Sequence, residues 1–332
     1  TIRPLSYANL AFGSSTGIKT FEAGTTKISG NVSTAGATGN VITNSSTIEY
    51  DGTSAQSINA GAIPNYYNLT NSNTSNLTLT GYTTLKNTLT LGAGSTFTNA
   101  GSLVFLSSPG MTARLAEVPT NAVFNGFITM QRFMPQIPYN YLHYYHIVGS
   151  PVSGSFGAIV YDETHNGTIN QGFGCDTCFT TLQPGVGGFK DFGANTIVYT
   201  YPNGTPNIGT KVATTHYTNS NDPTSDGWNL ISNPYPSEIL WDNVQLNNVG
   251  SSAYVWNGIQ YEEHLQGDGY VIPSGQGFWV KAYGSGNVTF RESDKTNATS
   301  TYHRLANVAN YPKLVLKMTG NGYSDLADIR FQ

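Results

Sequence analysis

The feature that most constrains the fold is a series of short runs in which apolar and small polar residues alternate. The runs recur through the first third of the chain, and each is bounded by Gly, Asn or Ser, which favour turns. Successive side chains of a strand point to opposite faces, so an alternation with a period of two predicts short strands with one buried face. The clearest runs are Thr26–Val32, Thr47–Tyr50, Asn76–Thr80, Thr88–Leu91 and Ser102–Leu106.

An internal repeat accompanies these runs. Tyr7–Leu10 (Tyr-Ala-Asn-Leu) matches Tyr66–Leu69 (Tyr-Tyr-Asn-Leu) at an offset of 59 residues, and Thr25–Ile28 matches Thr83–Lys86 at nearly the same offset. Repeated short strands are typical of a β-solenoid, in which each turn buries its apolar face only against its neighbours. We therefore predict an all-β chain with β-solenoid-like repeats over residues 1–115. A β-sandwich is the alternative for this part.

The composition favours strands over helices and argues against several classes of function. Charged residues make up 10% of the chain, so its polar surface comes mainly from Thr, Ser, Asn and Gly, which are poor helix formers. The net charge is −4 and no basic patch stands out, which argues against nucleic acid as a partner. The sequence contains no run of about 18 apolar residues, so it predicts no transmembrane helix. Low charge with abundant Thr and Asn resembles extracellular bacterial β-proteins, so we expect an extracellular or outer cell-surface location.

From Ala116 onward the chain is richer in aromatic residues. Runs such as Phe127–Phe133 and Gly277–Lys281 predict further strands separated by turns. We predict an antiparallel β-sandwich or jelly-roll-like domain over residues 116–332. A similarity between His146–Ser153 and Asn229–Ser237 raises the alternative of an internal duplication into 116–218 and 219–332. All four tryptophans sit within apolar runs here and are expected in the core: Trp228, Trp241, Trp256 and Trp279.

Several motifs of this second half occur in a fixed order. They are Thr112–Leu115, Ile128–Phe133, Gly149–Ser153, Gly227–Ser237 (Gly-Trp-Asn-Leu-Ile-Ser-Asn-Pro-Tyr-Pro-Ser), Ala253–Gly258 and Ile272–Ala282. Together they resemble a module of large surface proteins from Bacteroidota, and the Thr/Asn-rich repeats before them resemble the stalk repeats of the same proteins. The resemblance implies export by the type IX system and display on the cell surface, and it carries no catalytic residues. The sequence shows neither a signal peptide nor a C-terminal sorting domain, so we expect a processed or partial chain.

An aromatic cluster is the first candidate binding site. Alternation places Tyr139, Tyr141, His143 and Tyr145 on one face of a strand. Tyrosine rings can stack on sugar rings, and tyrosine is also favoured where one subunit meets another. We therefore predict that Tyr139, Tyr141 and Tyr145 bind a ligand, either a glycan or a neighbouring subunit.

Two further features suggest a metal site and a covalent link. Asp222 and Asp226 could supply hard oxygen ligands to Ca²⁺, which is the one cofactor that the sequence suggests. A metal-free Asx-type turn is the alternative explanation for the same residues. Cys175 and Cys178 form a Cys-x-x-Cys motif, which is found in zinc sites, redox pairs and tight disulfides. No second cysteine pair exists to complete a zinc site, and an extracellular location favours a disulfide, which we predict.

No arrangement of residues typical of catalysis occurs in the sequence. The six histidines are scattered, and the acid–histidine clusters Asp162–His165 and Glu262–His264 have no matching second cluster. We therefore expect a non-catalytic structural or adhesive surface protein that self-assembles into a filament or stalk, or binds other surface components. The alternative is a carbohydrate-binding module that serves a larger surface enzyme. A hydrolase with a site on the sandwich loops is the third hypothesis.

Overall fold

The computed structural model describes residues 1–13, 17–35, 41–134, 145–154, 183–191, 197–201, 203–219, 224–257, 260–300, 313–320 and 323–330. Within these ranges the chain is all-β. Two short 3₁₀ turns, Trp241–Asn243 and Glu292–Asp294, interrupt the strands, and no α-helix occurs in the described residues. The prediction of an all-β chain is confirmed.

The strands fall into two groups along the chain. The first group comprises β1 (Ser6–Tyr7), β2 (Leu10–Phe12), β3 (Lys19–Thr20), β4 (Gly24–Ile28), β5 (Val32–Thr34), β6 (Val41–Ile42), β7 (Ser46–Tyr50), β8 (Gln56–Asn59), β9 (Asn65–Asn71), β10 (Leu77–Thr80), β11 (Tyr82–Leu91), β12 (Thr96–Asn99), β13 (Ser102–Phe105), β14 (Ser107–Ser108), β15 (Met111–Thr112), β16 (Arg114–Leu115), β17 (Val123–Gly126) and β18 (Thr129–Met134). The second group comprises β19 (Tyr145–Val148), β20 (Gly188–Asp191), β21 (Ile197–Thr200), β22 (Lys211–Thr215), β23 (Trp228–Ser232), β24 (Ile239–Leu240), β25 (Gln245–Val249), β26 (Ser252–Trp256), β27 (Tyr261–Leu265), β28 (Val271–Ile272), β29 (Gly277–Phe290), β30 (Lys313–Gly320) and β31 (Tyr323–Arg330).

The first group winds into a β-solenoid of about six turns. One face is a parallel sheet in the order β1-β4-β7-β9-β11-β13-β18, and a second face is a parallel sheet in the order β17-β12-β10-β8. The short pairs β2-β5 and β3-β6 join the first two turns in the same parallel sense. Parallel pairing continues through β17 and β18, beyond residue 115. The predicted solenoid is therefore confirmed.

The structural repeat differs from the repeat that the sequence suggests. Lys27 aligns with Ser6 in the preceding turn and with Glu49 in the following one, so a turn takes about 20 to 22 residues. The residue in the following turn beneath Tyr7 is Ile28, whereas Tyr66 aligns with Leu85. The 59-residue offset thus pairs positions that do not stack on one another. The match at this offset is explained by the local resemblance of short Thr/Asn-rich strands.

The solenoid core is a set of columns that run across successive strands. One column consists of Thr26, Ile48, Leu69, Leu89 and Leu115, which align from turn to turn and are all at most 1% exposed. The alternation seen in the sequence puts these residues inside and their polar neighbours outside. Burying an aliphatic side chain of this size contributes about 1.5–3 kcal/mol, so the columns hold the turns together.

Asparagine and glutamine side chains satisfy the backbone where the solenoid turns its corners. The buried Gln56 amide donates to the carbonyls of Ile28 (2.9 Å) and Gly30 (2.7 Å), and its oxygen accepts from the Gly52 N–H (2.9 Å) and from Asn73 (2.7 Å). One side chain therefore links three turns and uses its full hydrogen-bonding capacity. Buried backbone groups need such partners, which accounts for the abundance of amide residues.

The second group is organised around the long strand β29. It pairs antiparallel with β22, β23, β25 and β26, and β27 extends the sheet beyond β26. Alternate residues of β29, among them Phe278 and Val280, face a core that also contains Trp241. Trp279, Lys281 and Tyr283 alternate with them and lie on the opposite face.

A buried charge cluster joins the two groups of strands. Glu238 lies between two arginines, with its Oε2 3.5 Å from Arg114 Nη1 and its Oε1 3.9 Å from Arg132 Nη1, and all three side chains are at most 7% exposed. Arg114 also donates to Thr88 and Asn87 of the solenoid at 3.3 Å each. Burial raises the pKa of the Glu238 carboxyl, and the two guanidinium groups oppose that rise.

Replacing Arg114 should destabilise the chain in a pH-dependent way. Arg114→Ala leaves Glu238 with one counter-charge, and breaking a buried ion pair costs about 3 kcal/mol. Losing a cation raises the pKa of Glu238 further, so the variant binds a proton at a higher pH than the wild type does. The difference in the free energy of unfolding between the wild type and the variant should therefore shrink as the pH falls from 7 toward 5.

Denaturant unfolding at several pH values measures this difference. Lys27→Ala is the matched control, because Lys27 pairs with Glu49 on the solenoid surface at 3.1 Å and is 45% exposed. The control should lose no more than about 1 kcal/mol. A difference for Arg114→Ala as small as that of the control would contradict the structural role given to the cluster.

Candidate functional site

The candidate site is an aromatic cleft on the solvent-facing side of the six-stranded sheet around β29. Its four walls are Trp228 on β23, Tyr254 on β26, Tyr261 on β27 and Trp279 on β29, and the recess between them measures about 410 Å³. The register brings them together, because Tyr254 lies opposite Trp279 and Trp228 lies opposite Lys281, two residues further along β29. Side chains at facing positions of an antiparallel pair share one face of the sheet.

The rings of the cleft are tilted against one another and partly open to solvent. Trp228 meets Tyr254 edge to face, with ring centroids 5.0 Å apart and an interplanar angle of 76°. Trp228 is 37% exposed and Tyr261 is 45% exposed. Trp256 packs beside Tyr261 at 5.0 Å and supports that wall. The arrangement is a shallow recess with aromatic faces turned toward the solvent.

Hydrogen bonds at the polar tips fix the orientation of the rings. Trp279 Nε1 donates to the Tyr261 hydroxyl (3.2 Å), Trp228 Nε1 donates to the Thr224 carbonyl (2.9 Å), and the Tyr254 hydroxyl donates to Glu263 Oε1 (2.8 Å). The polar ends of the rings are thereby satisfied within the protein. The rings are partly exposed and held in place, so little side-chain entropy is lost when a ligand binds.

Two charged groups lie at the rim of the cleft. Lys281 Nζ sits 5.3 Å from the Trp228 ring centroid, within cation–π range. Hydrogen bonds from Ser252 and Tyr254 lower the pKa of Glu263, while desolvation and the bond to Glu263 raise the pKa of Tyr254. Tyr254 therefore stays a neutral donor and Glu263 an ionised acceptor at neutral pH. Chemically, the cleft offers stacking surfaces with one cation and one anion beside them.

The sequence-based candidate residues are not the ones that form this cleft. Tyr139 and Tyr141 lie outside the described residues, and for Tyr145 the structure describes only the backbone, which pairs with Asp191. The proposed glycan site at these tyrosines therefore stays a prediction.

The calcium and disulfide predictions also stay untested. Asp222, Cys175 and Cys178 lie outside the described residues, and Asp226 is 2% exposed. Among the residues that the structure describes, no three His, Cys, Asp or Glu side chains come close enough to hold a metal ion. In the cluster Glu262–His264, Glu262 lies 3.8 Å from His264, whose ring stacks on Tyr270 at 3.5 Å.

The expectation that all four tryptophans are core residues is wrong for three of them. Trp241 is fully buried and donates to the Ser251 carbonyl (2.8 Å), whereas Trp228, Trp256 and Trp279 lie on the outer face. The sequence held a signal for this outcome. Lys281 follows Trp279 by two residues and so shares its face, which marks that face as solvent-accessible.

Comparison with protein-family models, with curated proteins and with solved structures finds no match to this chain. The described part of the chain contains no helix with the length and hydrophobicity needed to cross a bilayer.

The tryptophans should separate into one that stabilises the fold and others that do not. Trp241→Ala removes a buried ring that packs on Phe278 (5.4 Å) and should cost about 3–5 kcal/mol. Trp228→Ala removes a partly exposed ring and should cost about 1 kcal/mol or less. Thermal and denaturant unfolding of both variants measures the difference. Equal losses would show that the cleft rings serve stability.

Proposed function

We propose that this chain is a non-catalytic, extracellular surface protein that binds glycans through the aromatic cleft. The observation that carries the proposal is the cleft itself, four partly exposed rings whose polar tips are bonded within the protein. Aromatic faces pack well against the C–H groups of pyranose rings, and the nearby Glu263 and Lys281 can bond to sugar hydroxyls. The proposed mode of action is adhesion, with the alternative that the same cleft anchors a larger surface enzyme to its glycan.

The solenoid supports this role as a spacer. Its turns are held by continuous backbone ladders and a columnar core, so it is suited to display the second group of strands at a fixed distance. The motifs that resemble surface proteins of Bacteroidota support export by the type IX system. We also propose that the second group packs as a β-sandwich, since one face of its six-stranded sheet is buried and the other carries the cleft.

Glycan binding should depend on the cleft rings. We expect an array of glycans to identify at least one ligand, and Trp228→Ala or Trp279→Ala to weaken its binding by about tenfold or more, measured by calorimetry. Tyr283→Ala is the control, because Tyr283 is 71% exposed and does not line the cleft. An array without hits, or unchanged affinity in both tryptophan variants, would rule the cleft out as a glycan site.

Self-assembly is a second candidate function, and the first strand of the solenoid favours it. The N–H groups of Lys27 and Ser29 donate to the carbonyls of Leu5 and Tyr7, each at 3.0 Å. Backbone groups alternate in direction along a strand, so those of Ser6 point away from β4. Within the described residues β1 has no partner on that side, and an edge of this kind can pair with a strand of another copy.

Removing the free donor of this edge should weaken self-association. Ser6→Pro deletes the outward N–H and leaves the Leu5 and Tyr7 carbonyl bonds in place, whereas Ser6→Ala keeps the N–H and serves as the control. Light scattering and negative-stain microscopy at high protein concentration should show assemblies for the wild type and the control, and fewer for Ser6→Pro. Monomers alone in all three proteins would exclude the filament.

A further inference from the structure

A polar groove lies where the outer face of the solenoid meets the second group of strands. The groove measures about 570 Å³, a volume within the range of small-molecule sites. Side chains of the solenoid form one wall, and the connecting segment and residues near Lys295 form the other. The lining includes Thr47, Asn68, Thr70, Thr90, Arg114 and Ser237.

The solenoid wall presents hydroxyl and amide groups in two rows across β7, β9 and β11. One row is Thr47, Asn68 and Thr88, and the next contains Thr70 and Thr90, which align with each other. Adjacent strands lie about 4.8 Å apart, so the rows form a regular polar surface.

A chain of hydrogen bonds runs from Arg114 along the first row and orients its side chains. Arg114 Nη2 donates to Asn87 Oδ1 (3.3 Å), Asn87 Nδ2 donates to Asn68 Oδ1 (2.8 Å), and Asn68 Nδ2 donates to Thr47 Oγ1 (3.2 Å). Each bond polarises the next, because the chain begins at a cation. The Thr47 hydroxyl accepts the last bond, which leaves its own proton to be donated into the groove.

Three other hydroxyls of the groove have no partner in the described part of the chain. Thr70 and Thr90 make no side-chain hydrogen bond there. Ser237 is only 1% exposed, and its buried hydroxyl has no hydrogen-bond partner there either. Buried hydroxyls are normally bonded, so an unpaired one that lines a recess indicates a ligand group or a bound water. The free groups can both donate and accept.

Among the residues that the structure describes, three charged side chains line the groove. Arg114 and Lys295 are each paired, whereas Glu117 is exposed and makes no ion pair within that part of the chain. Lys295 Nζ lies 2.8 Å from Glu292 and donates to the Ala116 carbonyl (3.3 Å), and Arg114 pairs with the buried Glu238. No aromatic ring is among the lining residues. The two cations are engaged and Glu117 would repel an anion, so the free hydroxyls suit a neutral ligand that carries many hydroxyl groups.

We propose that the polar groove is a second binding site, which takes a neutral saccharide by hydrogen bonds to the hydroxyls of Thr70, Thr90 and Ser237. It shares no residue with the aromatic cleft and binds by a different mechanism, since the cleft offers ring faces and the groove offers hydroxyls. The proposal therefore stands whether or not the cleft binds glycans.

The test uses the full chain with Trp279→Ala, which weakens any binding at the cleft. The probes are unbranched neutral tetrasaccharides of glucose, galactose, mannose, xylose and N-acetylglucosamine, followed by calorimetry and by saturation-transfer NMR. We expect at least one probe to bind. Adding Thr70→Val and Thr90→Val, which keep the side-chain shape and favour strands, should lower its affinity by about tenfold.

Two controls separate binding from folding. Thr80→Val changes an exposed threonine that does not line the groove and should leave the affinity unchanged. Ser237→Ala should reduce the affinity without lowering the melting temperature, because the hydroxyl that it removes has no partner within the described chain.

The outcomes distinguish this proposal from the glycan-binding cleft. No binding of any probe to the Trp279→Ala chain, or equal affinity with and without the two valines, overturns the groove as a saccharide site. If every probe that binds the wild type is lost with Trp279→Ala alone, the cleft is supported and the groove is overturned. Loss of binding with Thr70→Val and Thr90→Val alone supports the groove. The cleft is then tested separately by the tryptophan variants described above.

Discussion

A parallel hydrogen-bond ladder links each turn of the solenoid to the next and holds the solenoid together. A single short strand such as β7 cannot bury its apolar side chains alone, but it does so between β4 and β9. Stacking therefore requires an apolar residue at every second position of a strand, where the side chain points inward. It also requires amide side chains at the corners, where Gln56 bonds to backbone groups of its neighbours. The low charge and the abundance of Thr and Asn are consequences of this repetitive backbone pairing.

The junction between the two groups of strands is the place where this regularity ends. The solenoid sheet passes from parallel to antiparallel pairing at β18 and β21, and Arg114 bonds both to the solenoid and to Glu238 of the second group. Leu115 adds a backbone bond from its N–H to the Pro236 carbonyl (2.7 Å). The polar groove exists because these contacts hold the second group against the Thr/Asn rows without covering them.

The two recesses present different chemical groups, aromatic rings in one and hydroxyls in the other. In the aromatic cleft the rings are fixed by strand register and by bonds at their tips, as in the bond from Trp279 to Tyr261. In the polar groove the hydroxyls of Thr70 and Thr90 are fixed by the ladder beneath them. Both surfaces are built on strands, so a ligand meets groups that are already in position, and little ordering is needed when it binds.

The strands and the solenoid could be predicted from the sequence, because alternation with a period of two is a local property and repeated short strands can bury their apolar faces only by stacking. It did not determine the turn length, since short Thr/Asn-rich runs resemble one another out of register, as Tyr7 and Tyr66 do. Alternation also defines two faces of a strand without saying which one is covered. Lys281 hints that the face of Trp279 is open, but the burial of Trp241 and the exposure of Trp228 follow from the elements that pack on each side of the sheet. The meeting of Thr70, Thr90 and Ser237 in one groove is likewise tertiary, since Ser237 is far from the two threonines in sequence and the folded junction alone brings them together.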